Sequence, residues 1–178
     1  MSAAVRTMES TTQTHFRAAM RSVASSVFLV STSGPEGNAG MTATSVCSLS
    51  LDPASVLICV NRSNSFMKAL EASGRFALNI LSRDDETVAK PFGSPLGREN
   101  RFVLGDWYEL DGMPALKSSL SAIVCDVAGR MDYGSHRVFV GEVRQIANHN
   151  GGTELLYCQG AFRTLHREQT HSALVKNR

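Results

Sequence analysis

Three short stretches of the 178-residue chain carry side chains able to hold or transform a ligand. The first is Met41-Thr42-Ala43-Thr44-Ser45-Val46-Cys47-Ser48-Leu49-Ser50, which sets five hydroxyl residues into a strand otherwise fit for burial. Hydroxyls and backbone N–H groups at a strand start can hydrogen-bond a planar heterocycle with carbonyls and ring nitrogens, or a sugar-phosphate chain. An edge strand with one solvated face has the same composition. The second stretch, Cys59-Val60-Asn61-Arg62-Ser63-Asn64-Ser65, runs a buried strand into a helix start. That junction offers unpaired N–H groups, the positive end of a helix dipole, a guanidinium and two hydroxyls, a set suited to phosphate. Capping of the helix by Ser63 or Ser65 accounts for the same residues. The third, Gly134-Ser135-His136, places a histidine at a turn just before a strand, where an imidazole either reaches a pocket or is a satisfied surface residue. Asp126 and Asp132 are candidates to orient it, but their spacing makes no triad. Ser45, Ser135 and the cysteines lack the setting of a nucleophile elbow. Neither a Gly-x-Gly-x-x-Gly nor a Walker-type loop occurs, so the chain uses neither of those nucleotide-binding modes.

Composition narrows the partners. Eighteen basic and sixteen acidic residues leave a formal charge of +2, spread along the chain, which makes no nucleic-acid footprint but admits a small anionic ligand. Cys47, Cys59, Cys125 and Cys158 lie singly in apolar segments without C-x-x-C spacing, as buried hydrophobes do, so no metal is expected. The N-terminal MSAAVRTMESTTQTHF has no apolar signal core, and no apolar run approaches the roughly 20 residues that span a bilayer. The expected setting is cytoplasmic and reducing, with no membrane partner. A chain of this length buries roughly 70% of its unfolded surface, enough for one unstapled domain.

The elements that must position these residues follow from apolar periodicity. Phe16, Ala19, Met20 and Val23 fall at helical spacing within Thr14–Val23. Ser26–Thr32, Met41–Leu51 and Ser55–Val60 read as three consecutive antiparallel strands, separated by Gly34-Pro35-Glu36-Gly37 and Asp52-Pro53. A helix carrying Phe66, Ala69 and Leu70 ends at Gly74, and the strand Arg75–Leu81 follows. A second helix opens at Ser82, carries Asp84, Asp85 and Glu86 in its first turn, and ends before Pro91. Residues 92–116 read as a long ordered loop, and Ser121–Met131, Arg137–Ile146 and Glu154–Leu165 as strands. About seven antiparallel strands closing on themselves, with helices outside, describe a mostly β fold, a barrel with peripheral helices. The domain is expected over residues 13–165, between a polar N-terminus (1–12) and a polar tail (166–178).

The succession MTATSVCSLSLDPASVLICVNRSNS, GRFALNILS, KPFG, RENRF, GSHRVFVGEV and LLYCQGAFRTL resembles the flavin reductase-like family over roughly residues 14–165. Its members are short-chain reductases that supply reduced flavin to two-component monooxygenases, with a related flavoprotein in pyrimidine breakdown. The resemblance implies an FMN-binding split β-barrel with Greek-key connections, a homodimer, FMN or FAD as cofactor, and NADH or NADPH as electron donor. By position, Thr42, Ala43, Thr44 and Ser45 would line the isoalloxazine, largely through backbone groups, with Ser48 nearby. Asn61, Arg62, Ser63 and Ser65 would hold the ribityl phosphate. Phe92 and Gly93 would close the pocket, with Arg101 contributing. His136 matches the histidine of the family's Gly-Asp-His motif, associated with the nicotinamide nucleotide, but Ser135 stands where that motif carries aspartate.

The implied reaction is hydride transfer from nicotinamide C4 to flavin N5, and it asks the protein for stacking, orientation and backbone donors rather than a side-chain base. The leading function is NAD(P)H:flavin reductase serving a separate monooxygenase. Two others remain open: a flavoprotein that keeps FMN and reduces another acceptor such as a cobalt corrinoid, and a flavin- or partner-binding barrel without turnover.

Overall fold

The computed structural model describes residues 11–94, 100–149 and 151–165. The expected polar stretch up to residue 10, the tail from His166, and part of the 92–116 segment (95–99) lie outside the described residues.

The chain runs α1 (Thr11–Met20), β1 (Ser25–Ser26), β2 (Phe28–Gly34), β3 (Gly37–Ala43), β4 (Val46–Leu51), β5 (Ala54–Asn61), α2 (Phe66–Ser73), β6 (Arg75–Ile80), a 3-10 turn (Arg83–Asp85), α3 (Glu86–Gly93), β7 (Trp107–Leu110), β8 (Met113–Leu116), β9 (Ser121–Tyr133), β10 (His136–Asn148), β11 (Leu155–Cys158) and β12 (Ala161–Thr164). Seven strands form one antiparallel sheet in the order β3-β2-β6-β9-β10-β5-β4, beside a three-stranded sheet β1-β11-β12 and the hairpin β7-β8. The architecture is mostly β and split-barrel-like, as the family resemblance implies, but the sheets do not close on themselves into a true barrel as the strand pattern suggests.

The split arises from a break the sequence pattern does not reveal. Met41–Leu51 reads as one strand, but the chain bends at Thr44–Ser45 and makes two, β3 and β4, on opposite edges of the sheet. β2–β3 and β4–β5 are antiparallel pairs as expected; β3 and β4 do not pair. At the break the chain is fastened to β5 and to the loop that follows it. Cys59 N–H donates to Ser45 O at 3.0 Å, the Ser45 hydroxyl donates to Cys59 O at 3.0 Å, and Asn64 Nδ2 lies 3.7 Å from Met41 Sδ.

Apolar alternation fills the curved sheet. Val30, Ile58, Val60, Phe76, Leu78 and Phe139 point inward and are covered by Phe66, Met67 and Leu70 of α2. Gly74 closes that helix at φ +65°, its N–H donating to Leu70 O, as the sequence predicts. The opposite face of β6 is buried too. Asn79 Nδ2 donates to Leu29 O (3.0 Å) and Ser31 Oγ (3.2 Å), and its Oδ1 accepts from Leu116 N–H (2.8 Å), so a buried amide ties β2, β6 and β8 with its bonds satisfied. Val27, Leu29, Leu81, Ala89, Phe92 and Leu155 make a second core beneath α3.

Four further expectations need correction. The segment expected as a loop contains the hairpin β7–β8, turned by Asp111 and Gly112, both at positive φ. Glu154–Leu165 is likewise two strands, turned at Gln159–Gly160. The second helix does not end before Pro91: Ser82 and Asp85 form a capping box, and α3 continues to Gly93. Proline removes one helical donor, and the carbonyls of the last turn, open at any helix end, are taken by Arg101, which donates to Pro91 O (2.8 Å), Phe92 O (3.5 Å) and Ser94 O (2.8 Å). The N-terminal helix forms over Thr11–Met20, with Val23 beyond it, and its apolar face is uncovered: Phe16 is 65% exposed. Among the described residues no helix is long and apolar enough to cross a membrane.

Candidate functional site

Most of the residues singled out in the sequence fall along one arc at the split. β3 supplies Thr42 and Ala43. The Thr42 hydroxyl donates to Ala89 O of α3 at 2.7 Å, and a Cβ on Gly93 would lie 3.7 Å from Thr42 Cβ. Thr44 and Ser45 are exposed at the break, and Ser48 is exposed on β4. Through the Ser45–Cys59 bonds the arc passes to β5 and the loop Asn61–Ser65. There Asn61 Oδ1 accepts from Ser63 N–H (3.0 Å) and Ser63 Oγ (2.9 Å). Asn64 Oδ1 accepts from Phe66 N–H at 2.9 Å. The capping alternative thus falls to Asn64: Ser65 sits at the N-cap position, is exposed, and makes no capping bond. Arg62 is exposed beside it. Its N–H donates to Ser135 O at 2.9 Å, which leads to His136, directly opposite Asn61 in the β5–β10 ladder.

The arc is open rather than a single chamber. Thr42, Ala43, Thr44 and Gly93 line a cavity of about 310 Å³ together with Lys90, Ser94, Tyr157 and Phe162. Those last four were missed as site residues, although they lie in or beside KPFG and LLYCQGAF. Ser65 and Arg101 instead line a cavity of about 350 Å³ between the β2–β3 turn and α2, whose mouth carries the Lys68–Glu36 pair at 2.6 Å. Phe92 is buried. It meets Phe102 edge-to-face at 5.0 Å and Trp107 at 5.9 Å, within the second core. Arg101 spans α3 and β3, adding a 3.3 Å bond to Gly40 O. Gly40 lies hard against the Phe92 ring: a Cβ there would come within 2.8 Å of it.

The electrostatics are those of a cationic rim. Arg137, next to His136, donates to Asp132 (Nη2–Oδ2 2.8 Å) and to Glu71. The Arg137 bond, with Arg62 and Arg130 nearby, holds the Asp132 carboxyl below its ordinary value. Both neighbouring carboxylates are therefore engaged, and Arg62 faces solvent beside the exposed hydroxyls. Burial pushes the Cys59 thiol upward, so it stays protonated beneath the arc. Exposed hydroxyls, a helix start and a guanidinium suit a phosphate, and the backbone at Thr44–Ser45 suits the edge of a planar ring.

Comparison with known proteins gives this geometry a family. Residues 20–166 match the flavin reductase like domain. The chain is 41% identical over 153 residues to FMN reductase (NADH) RutF 1 of Methylorubrum extorquens, covering 85% of this chain and 76% of that one. It is 34% identical over 156 residues to the 4-hydroxyphenylacetate 3-monooxygenase reductase component of Pseudomonas aeruginosa, covering 86% and 92%. Among solved structures, the Streptomyces globisporus NADH:FAD oxidoreductase SgcE6, in complex with NAD and FAD fragments, superposes with a TM-score of 0.81 at 26% identity, covering 88% and 94%. The chain belongs to the flavin reductase-like family.

Proposed function

We propose that this protein is an NADH-using flavin reductase, a single domain over residues 13–165 that releases reduced FMN or FAD to a separate monooxygenase component. One observation carries the reading: the split places the backbone of Thr42–Ser45, the phosphate-suited loop Asn61–Ser65 and His136 next to one another on one arc. The relatives' names, an NADH-dependent FMN reductase and a monooxygenase reductase component, support it.

In this reading Ser63, Ser65 and Arg62 hold the ribityl phosphate at the start of α2. The backbone of Thr44 and Ser45 orients the ring, with Ser48 alongside. Thr42, bonded to Ala89 O, and Gly93 form a wall of the ring's cavity, while Arg101, bonded to Gly40 O and the end of α3, and buried Phe92 hold α3 against β3. His136 contacts the nicotinamide nucleotide. Bound flavin would supply the hydride-accepting N5, and these residues would hold and orient it toward the donor. The active form is a homodimer, supported by apolar side chains left uncovered: Phe16, Met20 and Val23 at the N-terminal helix, and Leu51, which is 91% exposed on β4.

Anaerobic mixing of the purified protein with NADH and FMN tests the reaction. Catalysed bleaching of the oxidised-flavin band at about 450 nm is expected. Bleaching no faster than in a protein-free control would refute the reading. Light scattering tests the dimer, a monomer mass being the contrary result.

A further inference from the structure

The hairpin that carries His136 is fastened before any ligand is considered. Gly134 and Ser135 form the two-residue turn between β9 and β10, and Arg62 takes both of their carbonyls, its N–H at 2.9 Å from Ser135 O and its Nη1 at 3.5 Å from Gly134 O. His136 itself is held in the ladder opposite Asn61 and Tyr133. What remains adjustable is the imidazole, which is exposed, so packing does little to fix it. Its contact is with the preceding residue: Ser135 Oγ lies 2.9 Å from His136 Nδ1. The carboxylates at this tip, Asp132 and Glu71, are both drawn to Arg137.

A hydroxyl beside Nδ1 differs from a carboxylate in kind. A carboxylate only accepts, so a neutral ring next to it carries its proton on Nδ1 and turns a bare Nε2 outward. A hydroxyl also donates. We propose that Ser135 is a positioning residue: its hydroxyl donates to Nδ1, holds the neutral ring as the Nε2–H tautomer, and presents that N–H to an acceptor oxygen of the nicotinamide nucleotide. The inference rests on the reading of His136 as the contact to that nucleotide, and the measurements below separate the two.

Imidazole nitrogen NMR on the full chain, with the His136 signals identified by their loss in H136A, reads the tautomer directly. The wild type is expected as Nε2–H, S135A as a mixture and S135D shifted toward Nδ1–H. In steady-state assays S135A is expected to raise the NADH KM about three- to tenfold, as loss of one modest hydrogen bond would, with the FMN KM unchanged. S135T is expected to restore it, and S135A/H136A to be no worse than H136A alone. A wild-type ring in the Nδ1–H form overturns the proposal, as does an unchanged NADH KM in S135A or a double variant whose losses add in full. If H136A itself leaves the NADH KM unchanged, the underlying reading of His136 falls. If H136A is impaired while S135A is not, the role of Ser135 alone is refuted.

Discussion

His136 stands directly across the β5–β10 ladder from Asn61, the first residue of the loop that starts α2. The loop proposed for the flavin phosphate and the histidine proposed for the electron donor therefore share one stretch of paired backbone. Their spacing is set by the ladder rather than by side-chain packing. This makes their functions separable by mutation, because neither side chain holds the other in place.

Removing the imidazole tests the donor side. His136→Ala is expected to raise the NADH KM roughly five- to tenfold, the worth of about 1 kcal/mol of contact. Flavin KM and melting temperature should not move, because the side chain is exposed. Equal losses for NADH and FMN in parallel titrations would contradict the division of labour.

The start of α2 separates binding from stability. Ser65→Ala is expected to weaken FMN several-fold, while riboflavin, which lacks the phosphate, binds as before. Because Ser65 makes no capping bond, the same variant should melt like the wild type. Asn64→Ala, which loses the acceptor for Phe66 N–H, should cost about 1 kcal/mol, seen as a lower denaturation midpoint. Reversal of the two melting results would overturn the assignment of the cap.

Arg101 is expected to matter through the cavity wall. Its guanidinium joins the carbonyls of Pro91, Phe92 and Ser94 to Gly40 O. Arg101→Ala should destabilise the protein by about 2 kcal/mol, and Arg101→Lys should recover only part, since an ammonium lacks the planar fork that reaches several acceptors at once. Chemical denaturation of both variants reads this, and full recovery by lysine would argue against the multidentate role.

The cysteines should separate by reactivity. Burial, with Asp126 adjacent, pushes the Cys125 thiol up to about 12, so it stays protonated and unreactive in the folded chain. Cys47 is exposed on β4. A thiol reagent at pH 8 should therefore label Cys47 early and Cys125 only on unfolding. The sign of the linked effect follows. The folded thiol has the higher value, so its contribution to stability is complete below the ordinary thiol range and declines as pH rises from 9 toward 12. Rapid native labelling of Cys125 would contradict its placement.

What was legible in the sequence was local. The α2 pattern ending at Gly74 and the strands β5 and β6 follow from periodicity and capping, and the structure places them where those rules put them. The bend at Thr44–Ser45 was not legible. Its residues suit a strand, and the break is imposed by β3 and β4 serving opposite edges of one sheet. The hairpin around Asp111–Gly112 did carry a signal, an Asp-Gly pair between apolar runs, which the surrounding glycines, prolines and arginines masked. Beyond Pro91 the last carbonyls of α3 are taken by a guanidinium ten residues away, out of the reach of a local rule. Nor could spacing foresee that Asn64, not a serine, caps α2, since Asx and Ser side chains compete on equal terms there.

Gly40 sets a dimension. With hydrogen as its side chain, the ring of Phe92 rests almost on the backbone of β3, and a methyl group would meet it at 2.8 Å. Position 40 therefore acts as a feeler gauge between β3 and α3: one added carbon there would lever the end of α3 outward, away from the strand edge that Gly40 lends to the cavity it shares with Ser65 and Arg101.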